Sequence, residues 1–311
     1  MDLRKHIQKN DLPSILEMTE KPSGIPGLNF DQVQSEEHEA PMELGTFKVI
    51  KEIGGGGFSK CLLLFHQPTR QFYAGKVINR SIFEDPKMAE RFEREYRILE
   101  SLQHPNIVKL HSVEFLDEAV VFVMEYCQNG DLFSEIANTG PLPIESARDF
   151  FRKVVSGISY LHSHGIAHRD IKPENILIGE NFEPKITDFG LSNLSREQTM
   201  MQSPCGSPFY APPEVYCSTS YDGFKADIWA LGVVLYTMLA GTLPWTTMNP
   251  TQMFERIKHG EYRVPRHIPQ ECAELIRKMI NTDPNQRPTA DELLQCHWLA
   301  PSSLERPQLM K

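Results

Sequence analysis

The sequence predicts an α+β protein in which a small antiparallel β lobe precedes a larger, mainly helical lobe. Three observations carry this. Between Phe47 and Ile78 short apolar runs alternate with polar residues and are cut by Gly and Pro turns, the pattern of half-buried strands. After Gly130 the apolar period changes to that of amphipathic helices. The longest apolar run, Ile228 to Ala240, is too short to span a bilayer, which needs about 20 residues, and reads as a buried core helix.

The elements follow in order. Residues up to about Glu43 mix acids, Pro, Gly and polar side chains without a sustained period, so residues 1–44 are expected to form a poorly ordered extension. A short helix over Leu12 to Met18 is the one alternative there, with Asp11 as cap and Pro13 in its first turn. Phe47 to Lys51, Cys61 to Phe65 and Phe72 to Ile78 read as an antiparallel meander. A helix then begins with Asp85 as cap and Pro86 in the first turn, placing Met88, Phe92, Leu99 and Leu102 on one face. Glu95 shares that inward face. Strands around Val108 to Phe115 and Val120 to Tyr126 complete the sheet.

Helices are expected from Glu145 to His164, from Lys225 to Ala240 with Gly241 as stop, from Asn249-Pro250, and over Gln270 to Ile280. Thr289 and Glu292 stand at capping-box spacing before a last helix. The lobes divide residues 45–299 at about 126/127, leaving 300–311 as a short tail, and the cleft between them is the expected site.

Composition narrows the function. With 311 residues, 40% hydrophobic and 23% charged, the chain has the makeup of a globular protein. A net charge of -9 argues against a general nucleic-acid binder, which needs a basic face to displace counterions. Six scattered cysteines show no CxxC pair, which points to a reduced, cytoplasmic setting and leaves nuclear access open. Met1 to His6 lack the apolar stretch of a signal peptide, and no membrane role is expected.

The chemistry lies in an ordered series of motifs. Gly54-Gly55-Gly56-Gly57-Phe58-Ser59 sits between strands, where glycines let backbone N–H groups approach phosphate oxygens. Taken alone, this run reads equally well as a Gly-rich hairpin turn. One strand later, Lys76 in Ala74-Gly75-Lys76 would be desolvated in an apolar strand, and Glu95 on the next helix is its natural partner. His168-Arg169-Asp170-Ile171-Lys172-Pro173-Glu174-Asn175 places Asp170 to accept a hydrogen bond from a substrate hydroxyl and Lys172 to neutralise charge on a moving phosphoryl group. Asn175 and the Asp188 of Asp188-Phe189-Gly190 offer hard oxygen ligands for Mg²⁺.

These residues, from Phe47 to Leu299, resemble the eukaryotic protein kinases, and Lys172 two residues after Asp170 resembles the serine/threonine branch. Asp188 to Asn193, Cys205 to Ala211 and Gly223 to Trp245 look like the calcium/calmodulin-dependent kinase group, in particular its AMP-activated-kinase-like, SNF1-related branch. The resemblance implies a bilobal protein-kinase-like fold, ATP and Mg²⁺ as cosubstrate and metal, and protein substrates. It makes Asp170, Lys172, Lys76 and Glu95 the catalytic set, with Asn175 and Asp188 on the metal. Gly54, Gly56, Phe58 and Ser59 would cover the phosphates, and Ile53, Cys61, Ala74 and Leu177 would sandwich the adenine. Met124 would be the gatekeeper, with backbone groups of Glu125 and Cys127 meeting the ring edge. Asp227 looks like the acid that holds the catalytic loop and Arg287 like the partner of Glu214.

Three positions depart from the family pattern: Ser59 stands for a glycine, Cys61 for a valine and Pro212 for an alanine. None removes a phosphate, metal or proton-handling group. Arg169 is a cation that the family often pairs with a phosphorylated activation loop. Ser203, the substrate of an upstream kinase, is the expected phosphosite, with Thr199 as the alternative and Arg91 as a second cation. Asp131 and Glu174 fall where relatives place acids facing a basic residue upstream of the target. The rival readings are a pseudokinase scaffold and a small-molecule kinase on a similar fold.

Overall fold

A computed structural model describes residues 43–56, 59–79, 86–116, 119–189, 193–194, 208–245 and 249–300. The expected helix at Leu12–Met18, Gly57, Phe58, the Asp85 cap, Gly190, Thr199, Ser203, the Cys205 to Ser207 stretch and the Arg91 side chain lie outside the described residues.

The first lobe is built on one antiparallel sheet. Its strands are β1 (Glu43–Leu44), β2 (Phe47–Gly56), β3 (Ser59–His66), β4 (Gln71–Asn79), β5 (Leu110–Phe115) and β6 (Ala119–Glu125), in the spatial order β1-β2-β3-β4-β6-β5. The expected antiparallel meander is present in β2, β3 and β4, and of the two strands that complete the sheet β6 pairs with β4 while β5 lies at the edge. The residues explain the order. Val120 to Met124 are buried, which demands an interior strand, whereas β5 carries Ser112 and Glu114 and is only partly covered. The glycine run also differs from its expected place between strands, since β2 continues through Gly56 and pairs with β3 as far as Ser59.

Register sorts the side chains onto two faces. Cys61 lies opposite Lys76 and Lys76 opposite Phe122, while Leu63, Ala74 and Met124 line up two residues away. These residues share one face, because strand side chains alternate. The other face buries Leu64, Tyr73, Val121 and Val123 against Leu44 and Phe47. Helix α1 (Pro86–Ser101) covers the first face, with Phe92 stacked on Phe122 at 5.0 Å between ring centroids. Leu99, Leu102 and Glu95 turn inward as their spacing predicts.

The second lobe contains α2 (Leu132–Thr139), α3 (Ile144–Ser163), α4 (Pro213–Cys217), α5 (Gly223–Ala240), α6 (Pro250–His259), α7 (Gln270–Met279) and α8 (Ala290–Gln295). Short strand pairs, β8 (Ile176–Ile178) with β9 (Pro184–Ile186) and β7 (Ile166–Ala167) with β10 (Asn193–Leu194), carry the loops that face the first lobe. Asp131, Asp222 and Asn249 cap α2, α5 and α6 by accepting backbone N–H groups, and Thr289 with Glu292 forms the expected capping box. Helix α5 is long and apolar enough to cross a membrane by composition, yet 83% of it is buried inside the lobe. It is the axis of the core, with α3 and α7 packed around it.

The lobes also meet away from the chain crossing between β6 and α2. Val108 N–H donates to the Ile186 carbonyl at 2.9 Å and Ile186 N–H to the Asn106 carbonyl at 2.9 Å. The buried Asn106 amide donates to the Pro184 carbonyl at 3.1 Å, so the segment after α1 is stitched to β9.

Gly232 marks the closest approach of α5 to the end of α7. A Cβ there would lie 2.7 Å from Ile280 Cγ1 and 2.8 Å from Met279 Cβ, inside contact distance. Gly232→Ala is therefore expected to lower stability by about 1–3 kcal/mol despite the better helix propensity of alanine, as read by chemical denaturation.

Candidate active site

Lys76 is a strand residue on the sheet face that α1 covers, so its ammonium ends in a largely desolvated place. Its Nζ donates to Glu95 Oε1 at 2.6 Å and stands 3.6 Å from Asp188 Oδ1. Burial alone would pull the Lys76 pKa down. The charges and hydrogen bonds of Glu95 and Asp188 outweigh that, and the net direction is up. The lysine is thus a fixed cation facing the cleft, and the expected Lys76–Glu95 partnership is present in the geometry.

Across the cleft, β7 leads into the His168 to Asn175 loop. Asp227, in the second turn of α5 and 1% exposed, organises it. Its Oδ2 accepts the His168 backbone N–H at 2.8 Å and sits 2.9 Å from His162 Nε2, while Oδ1 accepts the Arg169 N–H at 2.7 Å. Arg169 takes the left-handed conformation, with φ 70°, a rare state for a non-glycine residue that the carboxylate helps to fix. His168 Nε2 lies 3.0 Å from the Thr187 carbonyl and its Nδ1 accepts the Asp170 N–H at 3.3 Å, which selects the tautomer with the proton on Nε2.

The turn delivers Asp170, whose Oδ2 accepts from Lys172 Nζ at 2.9 Å and from Asn175 Nδ2 at 3.0 Å. The Asn175 amide also donates to the Asp170 carbonyl at 2.9 Å, so its nitrogen is committed and its oxygen is the end that can serve as a ligand. Asp188 is left-handed too, with φ 64°, and its carboxylate is half exposed beside Lys76. Phe189 behind it is buried, with its ring centroid 5.1 Å from that of His168.

The register places the residues expected to face the adenine. Ala74, Cys61 and Met124 share the sheet face of Lys76, and Met124, Cys127 and Leu177 belong to one apolar cluster. Burial pushes the Cys127 thiol up to about 12, which makes it an apolar wall rather than a nucleophile. The Glu125 N–H is spent on the Lys109 carbonyl at 2.9 Å, so of its two backbone groups only the carbonyl could meet a ligand. Ile53, Gly54 and Gly56 lie on β2 next to this face, and Ser59 opens β3.

Below the site, Arg287 is buried, and its guanidinium grips Glu214 at 2.5 and 2.9 Å. It also donates to the Lys225 and Asn281 carbonyls and lies over the Trp229 ring. Every polar arm is met, the condition under which a buried ion pair is tolerated.

A model of one family, the protein kinase domain, matches residues 47–299. The chain belongs to the protein kinase domain family. Among similar proteins, CBL-interacting protein kinase 11 of Oryza sativa subsp. japonica is 36% identical over 82% of this chain and 51% of the relative. The sucrose non-fermenting protein kinase 1 of Fusarium virguliforme is 38% identical over 86% of this kinase chain and 38% of the relative. The carbon catabolite-derepressing protein kinase of Saccharomyces cerevisiae is 37% identical over 82% and 40%. These relatives agree with the SNF1-related resemblance of the motifs. The chain spans between 38% and 51% of the length of these curated relatives.

Three contributors to this kinase site escape sequence reasoning: His162, Tyr221 and Asn106. Each works by a contact across 52 or more residues of chain, and none carries a motif of its own; His162, for one, stands in the last turn of α3 with nothing in the neighbouring residues to mark it.

Asp227→Asn tests the organisation of the loop. An amide supplies one acceptor oxygen where two backbone N–H groups now converge on a carboxylate, so one donor is left unmet. The variant is expected to lose at least about tenfold in kcat while KM for ATP changes less than about twofold, as steady-state kinetics would show.

Proposed function

We propose that the chain transfers the γ-phosphoryl group of ATP to Ser and Thr hydroxyls of protein substrates. The observation that carries this reading is the convergence of two charge systems across one cleft: Lys76 with Glu95 and Asp188, and Asp170 with Lys172 and Asn175. The substrate hydroxyl oxygen bonds to the γ-phosphorus as the bond to the bridging oxygen breaks. ADP leaves, and the hydroxyl proton passes to the Asp170 carboxylate. Lys172 offsets charge on the moving group, and Lys76 grips the phosphates that stay behind. Glu95 keeps the Lys76 ammonium aimed.

The donor set fits Mg²⁺. The described residues contain no cluster of three or more His, Cys, Asp or Glu that could cage a metal. Asn175 and Asp188 instead give an incomplete oxygen shell, which suits an ion that arrives with phosphates and keeps its waters. When bound there, Mg²⁺ would neutralise phosphate charge. A scaffold without catalysis would have no use for an aligned Asp170 and Lys172. Thermal shift with an ATP analogue is expected to rise further when Mg²⁺ is added, and Asp188→Asn should abolish the metal-dependent part. Equal shifts with and without Mg²⁺ would count against the reading.

Asp131 and Glu174 support a preference for substrates with Arg three residues before the target. Burial raises the pKa of Glu174, and the nearby Asp131 charge raises it further. One Glu174 oxygen is buried without a hydrogen-bond partner among the described residues. Asp131 has its oxygens on the backbone N–H and hydroxyl of Ser134, so it adds charge more than open ligand sites. An arriving guanidinium would relieve the Glu174 site. Because the raised pKa means the charge is lost at a higher pH than for an ordinary glutamate, basic selectivity should weaken as pH falls from neutral to acid, sooner than an ordinary glutamate would allow. A peptide library phosphorylated at neutral and at acid pH, with Asp170→Ala as blank, measures this, and a library with no basic preference would sink it.

Activation by an upstream kinase acting on Ser203 belongs to the same reading, as does a cytoplasmic setting. Phosphate there would pair with Arg169 and Arg91 and order the loop. Ser203→Ala is expected to lower the activity of kinase-treated enzyme several-fold. Unchanged activity would shift the assignment to Thr199.

A further inference from the structure

A phenol behind the catalytic loop has no part in the chemistry set out so far. The Arg169 guanidinium donates to the Tyr221 hydroxyl through Nε at 3.1 Å and through Nη2 at 2.9 Å. Its central carbon lies 5.7 Å from the centroid of the same ring. Tyr221 is 3% exposed and directly precedes Asp222, the cap of α5. One short stretch, from Tyr221 to Asp227, therefore takes hold of Arg169 twice, by side chain at Tyr221 and by main chain at Asp227. Tyr221 and Asp227 line a small pocket together with Arg169, Asp170 and Tyr210.

The hold matters because of where Arg169 sits. A left-handed non-glycine residue is strained relative to a relaxed one and persists only when its surroundings fix it. Asp170 is the next residue, so any relaxation of that turn swings its carboxylate. A guanidinium fork on one oxygen, over a ring, resists rotation of the Arg169 side chain in a way a single contact does not.

We propose that Tyr221 is a positioning residue for Asp170. Its hydroxyl fixes Arg169, and through the left-handed turn it sets the Asp170 carboxylate, whether or not the activation segment carries phosphate. This rests on the phosphoryl-transfer reading of the site.

The test is a mutant cycle of Tyr221→Phe, Arg169→Ala and the double variant in the full chain after phosphatase treatment, with kcat and KM measured on a peptide substrate. Tyr221→Phe keeps the ring and deletes one oxygen. It is expected to lower kcat about tenfold with KM for ATP unchanged within about twofold. The double variant should be no slower than Arg169→Ala within about twofold, because Tyr221 acts through Arg169. A Tyr221→Phe kcat equal to that of the parent, or losses that multiply in the double variant, would overturn the proposal. If Tyr221→Phe does not fold, Arg169→Lys cuts the same fork from the other side and should show the same fall in kcat, while parental kcat overturns the idea. A parent chain that transfers no phosphate overturns the activity reading instead. Tyr221 is then judged by amide exchange over residues 166–170, where faster exchange in Tyr221→Phe supports the hold and unchanged exchange overturns it.

Discussion

One buried carboxylate, that of Asp227, is the constraint on which the site depends. A charge taken out of water is costly unless hydrogen bonds replace its solvation, and here two backbone N–H groups do so, with His162 alongside. The exchange works in both directions. The loop satisfies the acid, and the acid forces the loop into a turn it would not otherwise take. Because Asp227 stands on α5, the most buried helix of the lobe, the His168 to Asn175 loop inherits the rigidity of the core. The network around Arg287 repeats the device lower down, anchoring the Glu214 segment to the same helix through the Lys225 carbonyl and the Trp229 ring.

The facing lobe follows a different logic. Lys76 is held in place by opposite charge rather than by main-chain donors, so its aim depends on where α1 puts Glu95. Stacking of Phe92 on Phe122 and burial of Ile98, Leu99 and Leu102 decide that position. A small shift of the helix would lengthen a contact of 2.6 Å and change the net charge presented to a phosphate. The two halves of the site are therefore unequal. One is wired into a core, and the other is balanced on the docking of a single helix.

Much of this was legible in the residues. The Lys76–Glu95 pair could be foreseen because each residue carries its own signal: a lysine in an apolar strand, and an acid on the inward face of a helix. Capping residues such as Asn249 and Thr289 marked their helices for the same reason. The strand order was not legible, since alternation reveals which face is buried but not which neighbour a strand chooses. That choice was settled by the uniformly apolar β6, which needs cover on both sides. The short helices α2 and α4 lack a period long enough to read. Tyr221 was invisible because nothing in the chain announces a contact 52 residues away.

The insertion of β6 beside β4 bears on how the chain reaches this state. Residues 71–79 find their second partner only in residues 119–125, on the far side of α1 and β5. While the chain emerges from the ribosome, the four-stranded piece up to Asn79 would carry an open, apolar edge until Glu125 follows. The closing of that edge also seats Phe122 under α1 and so brings Glu95 to Lys76. The last strand to arrive thus completes the sheet and aligns the ion pair in one event, which ties the birth of the site to the final step of folding the lobe.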